Sequence, residues 1–473
     1  MKKTFLLLGA ICLLILNIGQ VSVSASTVDT TKTTNESLTT KNKPNVNSEA
    51  AIVMEASTGT ILYAKNIHET YYPASITKIL TTLVAIENSS MNEIVEFSKK
   101  AIYDVDLDSS RIGIDVGEKL TMEQSLYGIM LESANEVSYA IGEHISGDIE
   151  SFMTLMNKKA KELGCLNTNF VNPHGLPDEN HYTTAYDMAL ISKAAINNEE
   201  FREITGTRTY AIPPTNIQEE TRWLANHHKF VKGSKNFDGI IGGKTGYTSK
   251  AKYTLVTFAE RNGMTLISVI MRCDTIANEY ADTAALLNYG FDNYSIYNIA
   301  NMESENKINS TDLFTKYAPM FDLTTSDLSI SSNGFIVLPN SISFDQAEKK
   351  VEFVPVTNLD NGQNIIGSMH YTYQGTSVGS ADILYEKNDS KVTLVNNFIP
   401  IPTKTEIYTG MPSTSAAEDS SLKKVIIAII IGVFTISIIL YLILVELPYR
   451  KRKNAYVKNR KRKNRYNKKD YIN

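Results

Sequence analysis

The hydrophobic pattern changes texture several times along the chain. Lys2 and Lys3 precede an apolar run over residues 5–16, and Val23-Ser24-Ala25 follows as a small-residue cleavage site, so residues 1–25 predict a secretory signal. Residues 26–48 are rich in Thr, Ser, Asn and Lys and read as a flexible linker. Apolar-rich runs over 50–56 and 60–65 surround Ser57-Thr58-Gly59, a β-hairpin pattern. Helical spacing dominates from about 75 to 197. A second hairpin is predicted where 253–260 and 264–272 flank Asn262-Gly263. A helix over 277–289 should stop at Gly290.

Strands at both ends of this stretch, with helices between, predict an α+β domain over 49–294 whose terminal segments share one antiparallel sheet. The runs at 334–338, 351–356, 365–373 and 381–385 are short and alternating, with Asp360-Asn361-Gly362 and Gln374-Gly375 as turns. They predict a small all-β, sandwich-like domain over 295–400, then a stalk over 401–424. Residues 425–445 carry no charge, and about 31 Å of helix matches a bilayer core, so a C-terminal transmembrane helix is expected there. Residues 446–473 form a basic tail. The positive-inside rule puts that tail in the cytoplasm and the rest of the chain outside, a single-pass protein of a bacterial cell membrane.

Charge sharpens this division. The chain has 47 basic and 51 acidic side chains. Setting aside residues 450–473, with twelve cations and one acid, and the two leading lysines leaves 33 against 50 for residues 26–449. A segment near −17 is a poor partner for nucleic acid. Cys165 and Cys273 form no disulfide framework and lack metal-ligand spacing, so neither metal nor cofactor is expected.

Candidate chemistry lies in three short motifs. Ser75-Ile76-Thr77-Lys78 opens an apolar helical run after Pro73. Ser75 then sits in the first turn, where free N–H groups favour developing negative charge, and Lys78 lies on the same face. A desolvated lysine beside other cations can act as a base. The Ser-x-x-Lys spacing recurs at Ser249, Ser304, Ser420 and Ser421, so context rather than pattern singles out Ser75. Ser133-Ala134-Asn135 follows a helix opened by the capping box Thr121-x-x-Gln124 and precedes another helical run, a corner able to project side chains into a cleft. Gly242-Gly243-Lys244-Thr245-Gly246-Tyr247 reads as a strand edge open to an extended peptide, with Lys244 and the Thr245 hydroxyl facing its carboxylate. Each motif alone also reads as a cap, a polar turn or a Gly-rich turn. Their conjunction and order are what point to a serine acyl-transferase.

Together these residues resemble the low-molecular-mass penicillin-binding proteins, the D-alanyl-D-alanine carboxypeptidases of peptidase family S11. Asn172-Pro173-His174-Gly175-Leu176, Thr183-Thr184-Ala185-Tyr186-Asp187-Met188-Ala189 and the stretch from Phe237-Asp238-Gly239 to Tyr247-Thr248 extend the resemblance. It covers 49–294, and 295–400 more loosely. The resemblance implies a penicillin-binding/β-lactamase-like fold, with Ser75 as nucleophile, Lys78 as general base and Ser133 as proton relay. It places Asn135 on the substrate peptide, and Lys244 and Thr245 on the terminal carboxylate beside Gly246. The N–H groups of Ser75 and Tyr247 would form the oxyanion hole. The implied partners are peptidoglycan stems ending in D-Ala-D-Ala, β-lactams as covalent inhibitors and the membrane.

The family usually has glycine where Lys252 stands, and commonly anchors by an amphipathic helix rather than a full span. The rival readings are a class A-like β-lactamase and a non-catalytic wall-binding or sensor protein. The β-lactamase Glu-x-x-Leu-Asn pattern has its nearest match from Glu162 to Leu166-Asn167, one residue too long. His174, His181, His227 and His228 read as loop or surface histidines, and Asp187 as structural.

Overall fold

The computed structural model describes residues 43–305, 328–353 and 362–387. The signal at 1–25, the stalk, the apolar span at 425–445 and the basic tail lie outside the described residues. Among the described residues no helix is long and apolar enough to cross a membrane.

The first and last thirds of the 49–294 domain meet in one five-stranded antiparallel sheet. Its strands are β1 (Ala50–Glu55), β2 (Ile61–Lys65), β3 (Ile240–Thr248), β4 (Lys252–Arg261) and β5 (Met264–Cys273), in the order β2-β1-β5-β4-β3. Both sequence-predicted hairpins are present. Asn262 and Gly263 take φ of 51° and 76°, the left-handed pair that a two-residue turn needs to match strand twist.

The central strands are buried on both faces, which explains their nearly unbroken apolar sequence. Successive side chains point to opposite faces. Ala50, Ile52 and Met54 of β1 enter one core, and Ala51 and Val53 enter the other. β5 divides the same way, with Ile267, Val269 and Met271 on the first side and Leu266 and Ile270 on the second. The first core is filled by helices from the middle of the chain: α1 (Lys78–Asn88), α2 (Met122–Leu131), α3 (Asn135–Ser146) and α4 (Ala185–Ile196). The second is covered by α5 (Ile276–Asn293).

α5 corrects one expectation. Gly290 does not end the helix, which runs on to Asn293. A Cβ at Gly290 would stand 2.5 Å from Leu266 Cδ1, so this glycine serves close helix-to-sheet approach rather than termination.

A second antiparallel sheet follows. It contains β6 (Tyr294–Asn298), β7 (Leu328–Ile330), β8 (Phe335–Pro339), β9 (Glu348–Phe353), β10 (Gly362–Tyr373) and β11 (Thr376–Lys387). The order is β6-β8-β11-β10-β9, with β7 also paired to β11. The described part of this region is therefore a single sheet, whose apolar face joins the second core through Ile336, Leu338 and Ile383.

Lys252, at the start of β4, adopts φ 59°. Glycine takes this region without cost, whereas a side chain is strained there. The glycine that the resemblance leads one to expect here would thus have a backbone reason. Lys252→Gly should stabilise the protein by roughly 0.5–1 kcal/mol, the strain relieved less the entropy of a freer unfolded chain. A lower midpoint in urea for the glycine variant would contradict this.

Candidate active site

The three motifs meet where α1, the α2–α3 corner and the edge strand β3 converge. Ala74 has φ 52° and opens a 3-10 turn, Ala74–Thr77, that runs into α1. Ser75 lies in this turn, slightly ahead of the α-helix itself. Thr254 Oγ1 of β4 donates to Pro73 O at 2.8 Å and fixes the turn against the sheet. Ile79, Leu80, Leu83 and Val84 bury the inner face of α1 and hold its first turn in place.

Lys78 is fully buried, three residues after Ser75, with Nζ 3.1 Å from Ser75 Oγ. The same nitrogen donates to Asn135 Oδ1 and to His174 O, each at 2.6 Å. Burial holds the Lys78 ammonium well below the usual lysine range, and the Lys244 charge lowers it further while Glu136 pulls the other way.

The Thr121/Gln124 capping box opens α2 as expected. Ser133 then takes φ 61°, a left-handed residue that breaks the helix and turns the chain into α3, whose first residue is Asn135. Asn135 N donates to Ser110 O at 2.8 Å, tying this corner to the loop before α2. On β3, Lys244 Nζ donates to Ser133 Oγ at 3.2 Å and to Thr245 O at 2.9 Å. Burial lowers Lys244 to about 7, opposed by Glu132. β3 is a sheet edge, as read from its glycines. Gly246 shows why one is needed: a Cβ there would meet Thr254 Oγ1 at 2.4 Å and the Ser75 nitrogen at 2.9 Å.

Ser75, Lys78, Ser133, Asn135, Lys244, Thr245 and Gly246 are thus brought together from segments far apart in sequence. Tyr247 follows on the same edge with an exposed ring tilted against Tyr253, centroids 4.5 Å apart.

Of the four histidines read as loop or surface residues, His174 and His181 do lie in loops, but three are not on the surface. His174, His181 and His228 are buried, and only His227 is exposed. His181 Nε2 bonds Thr77 Oγ1 at 2.9 Å, and His228 Nε2 bonds Thr257 Oγ1 at 2.9 Å. Burial drives both rings down to about 3, so they are neutral packing groups behind the cleft. His174 contributes its carbonyl rather than its ring to Lys78. Two further features escaped sequence reading. Gly175, at φ 91°, lets that loop approach Ala74. Glu136 is buried beside Asn135 and accepts Ile112 N at 2.8 Å. The Asn-Pro-x-Gly pattern was the available signal for the first; an acid immediately after Asn135 was the only signal for the second.

A buried serine–lysine pair, a second serine–lysine contact and an open strand edge define a penicillin-binding-protein class of serine acyl-transferase. The sequence matches the D-alanyl-D-alanine carboxypeptidase family, peptidase S11, over residues 37–275. It is 37% identical over 254 residues to the D-alanyl-D-alanine carboxypeptidase DacF of Bacillus subtilis, covering 53% of this chain and 63% of that one. It is 30% identical over 357 residues to DacA of Haemophilus influenzae, covering 72% and 84%. The Streptomyces K15 DD-transpeptidase structure aligns with a TM-score of 0.50 at 30% identity, covering 53% of this chain and 99% of that one. Penicillin binding protein 5 from Haemophilus influenzae shares the fold, with a TM-score of 0.57 at 24% identity over 73% of this chain and 98% of that one. The chain belongs to the D-alanyl-D-alanine carboxypeptidase family.

Proposed function

We propose that this enzyme removes the terminal D-alanine from peptidoglycan pentapeptide stems through an acyl-enzyme on Ser75. The observation that carries the reading is the environment of Lys78 Nζ. Two of its neighbours, Asn135 Oδ1 and His174 O, can only accept hydrogen bonds. A neutral amine has two N–H groups for them. Its lone pair is then left for the Ser75 hydroxyl, 3.1 Å away.

In this reading Lys78 takes the Ser75 proton as Oγ attacks the penultimate carbonyl. Ser133, linked to Lys244, returns a proton to the leaving D-alanine nitrogen. Asn135 binds the peptide, and Lys244 and Thr245 hold the terminal carboxylate beside Gly246. The N–H groups of Ser75 and Tyr247 stabilise the oxyanion; such a donor is generally worth on the order of 100- to 1000-fold in rate. Water then hydrolyses the ester. β-Lactams acylate the same serine and leave slowly.

The productive form needs Lys78 neutral and Lys244 charged. Acid protonates Lys78 and removes the base, so kcat/KM should fall as pH drops. Alkali deprotonates Lys244, which burial lowers to about 7, so the carboxylate clamp weakens and KM should rise above neutrality. A KM unchanged from pH 6 to 9 would contradict the Lys244 assignment.

The deciding experiment compares D-alanine release from muramyl pentapeptide with turnover of a chromogenic cephalosporin. D-alanine release with stoichiometric, slow cephalosporin reaction supports the proposal. Fast cephalosporin turnover without D-alanine release overturns it in favour of a β-lactamase. We also propose export by residues 1–25 and anchoring by 425–445, with the catalytic domain outside the cell, on the apolar runs and basic tail alone. Recovery of a chain truncated at 424 in the membrane fraction, rather than the medium, would refute the anchor.

A further inference from the structure

Two fixed points give the direction in which a peptide crosses the cleft. Gly246 lies against the Ser75 nitrogen, and Lys244, two residues earlier on β3, reaches Ser133. With the reacting carbonyl at Ser75 and the terminal carboxylate at Lys244, the C-terminus of the substrate points toward the start of β3. Its upstream residues then run antiparallel to the strand, past Tyr247 toward the turn between β3 and β4. With equal rise on both strands and the penultimate carbonyl level with Gly246, the third residue of a pentapeptide stem comes level with Tyr247 or Thr248, at the end of β3.

Lys250 lies just beyond, on the turn between β3 and β4, with an exposed side chain long enough to reach back to that level. Its turn is held by Ala251 N donating to Thr248 Oγ1 at 3.0 Å and by Arg272 Nη1 donating to Lys250 O at 3.1 Å. Lys250 Nζ lies 5.6 Å from the ring centroid of Tyr72, three residues before Ser75, so it spans both lips of the cleft. The neighbouring cations are committed: Arg272 Nε binds Glu49 at 2.8 Å, and Lys252 Nζ faces Asp274 at 3.8 Å. Among the described residues Lys250 makes no ion pair.

We propose that Lys250, held against Tyr72, forms a subsite selecting stems whose third residue carries a side-chain carboxylate, a diamino diacid, over stems with a side-chain amine alone. The proposal rests on the carboxypeptidase reading. The test uses the full chain in detergent and two acetylated tripeptides, X-D-Ala-D-Ala, with X either meso-diaminopimelate or L-lysine. These differ by one carboxylate. For an exposed charge contact, wild type should favour the diacid in kcat/KM by about five-fold at low salt. The preference should shrink in 1 M NaCl, vanish in Lys250→Ala and invert in Lys250→Glu, while labelled penicillin still marks Ser75 in all three. Equal rates on the two peptides in wild type, or an unchanged ratio in Lys250→Ala, would overturn the subsite and leave the carboxypeptidase reading standing. Release from neither peptide, with no penicillin label, would overturn the carboxypeptidase reading and this proposal with it.

Discussion

Ser75→Ala should release no D-alanine above background and take up no labelled penicillin. Losing the nucleophile of a serine enzyme generally costs on the order of a million-fold in turnover, because no covalent intermediate can form. Lys78→Arg should be nearly as damaging, although it keeps a cation in place. A guanidinium does not deprotonate, so it cannot accept the Ser75 proton, and losing a general base costs roughly 100- to 10,000-fold. It must also fit where Lys78 is fully buried against Asn135 and His174 O. Penicillin labelling of Ser75→Ala at the wild-type rate would show that another residue is acylated. Full activity in Lys78→Arg would remove Lys78 from the base role.

Gly175→Ala should damage the cleft from outside it. The new Cβ would sit 1.9 Å from Ala74 O and 3.0 Å from Thr77 Oγ1, at a residue whose φ of 91° already disfavours a side chain. Backbone atoms, not a flexible side-chain tip, stand in the way. The relief is to move either the turn carrying Ser75 or the loop whose His174 carbonyl holds Lys78. The expected cost is about 3 kcal/mol in stability, with a fall in penicillin acylation larger than global unfolding explains. Thermal melting beside acylation kinetics separates the two. Wild-type values of both would show that the approach of Gly175 to Ala74 is unimportant.

Much of this architecture is legible in sequence because it rests on local signals. Asn262-Gly263 specifies a hairpin, Thr121 and Gln124 a helix start, and the doubly buried β1 and β5 an apolar run. The motif residues were also legible, since Ser75 and Lys78 are one turn apart. What escaped were features set by partners remote in sequence. Lys78 and the His174 carbonyl are 96 positions apart. The left-handed backbones of Ala74 and Ser133 have no glycine to announce them. The burial of His181 and His228 was not legible because their partners, Thr77 and Thr257, lie 104 and 29 positions away. Gly290 misled because a glycine inside a helix and one beyond its end look alike until the facing Leu266 is known.

The sheet that joins the two ends of the domain also dictates when it can form. Ile52 pairs with Val269, and Ser48 with Asp282 across 234 positions. β1 therefore has its β2 hairpin partner early but no central neighbour until β5 has been synthesised, and closing so large a loop is slow. An incomplete chain cannot assemble the cleft, because β3 sits at the edge of a sheet whose middle is still missing. The domain can close into an enzyme only once β5 has arrived between β1 and β4.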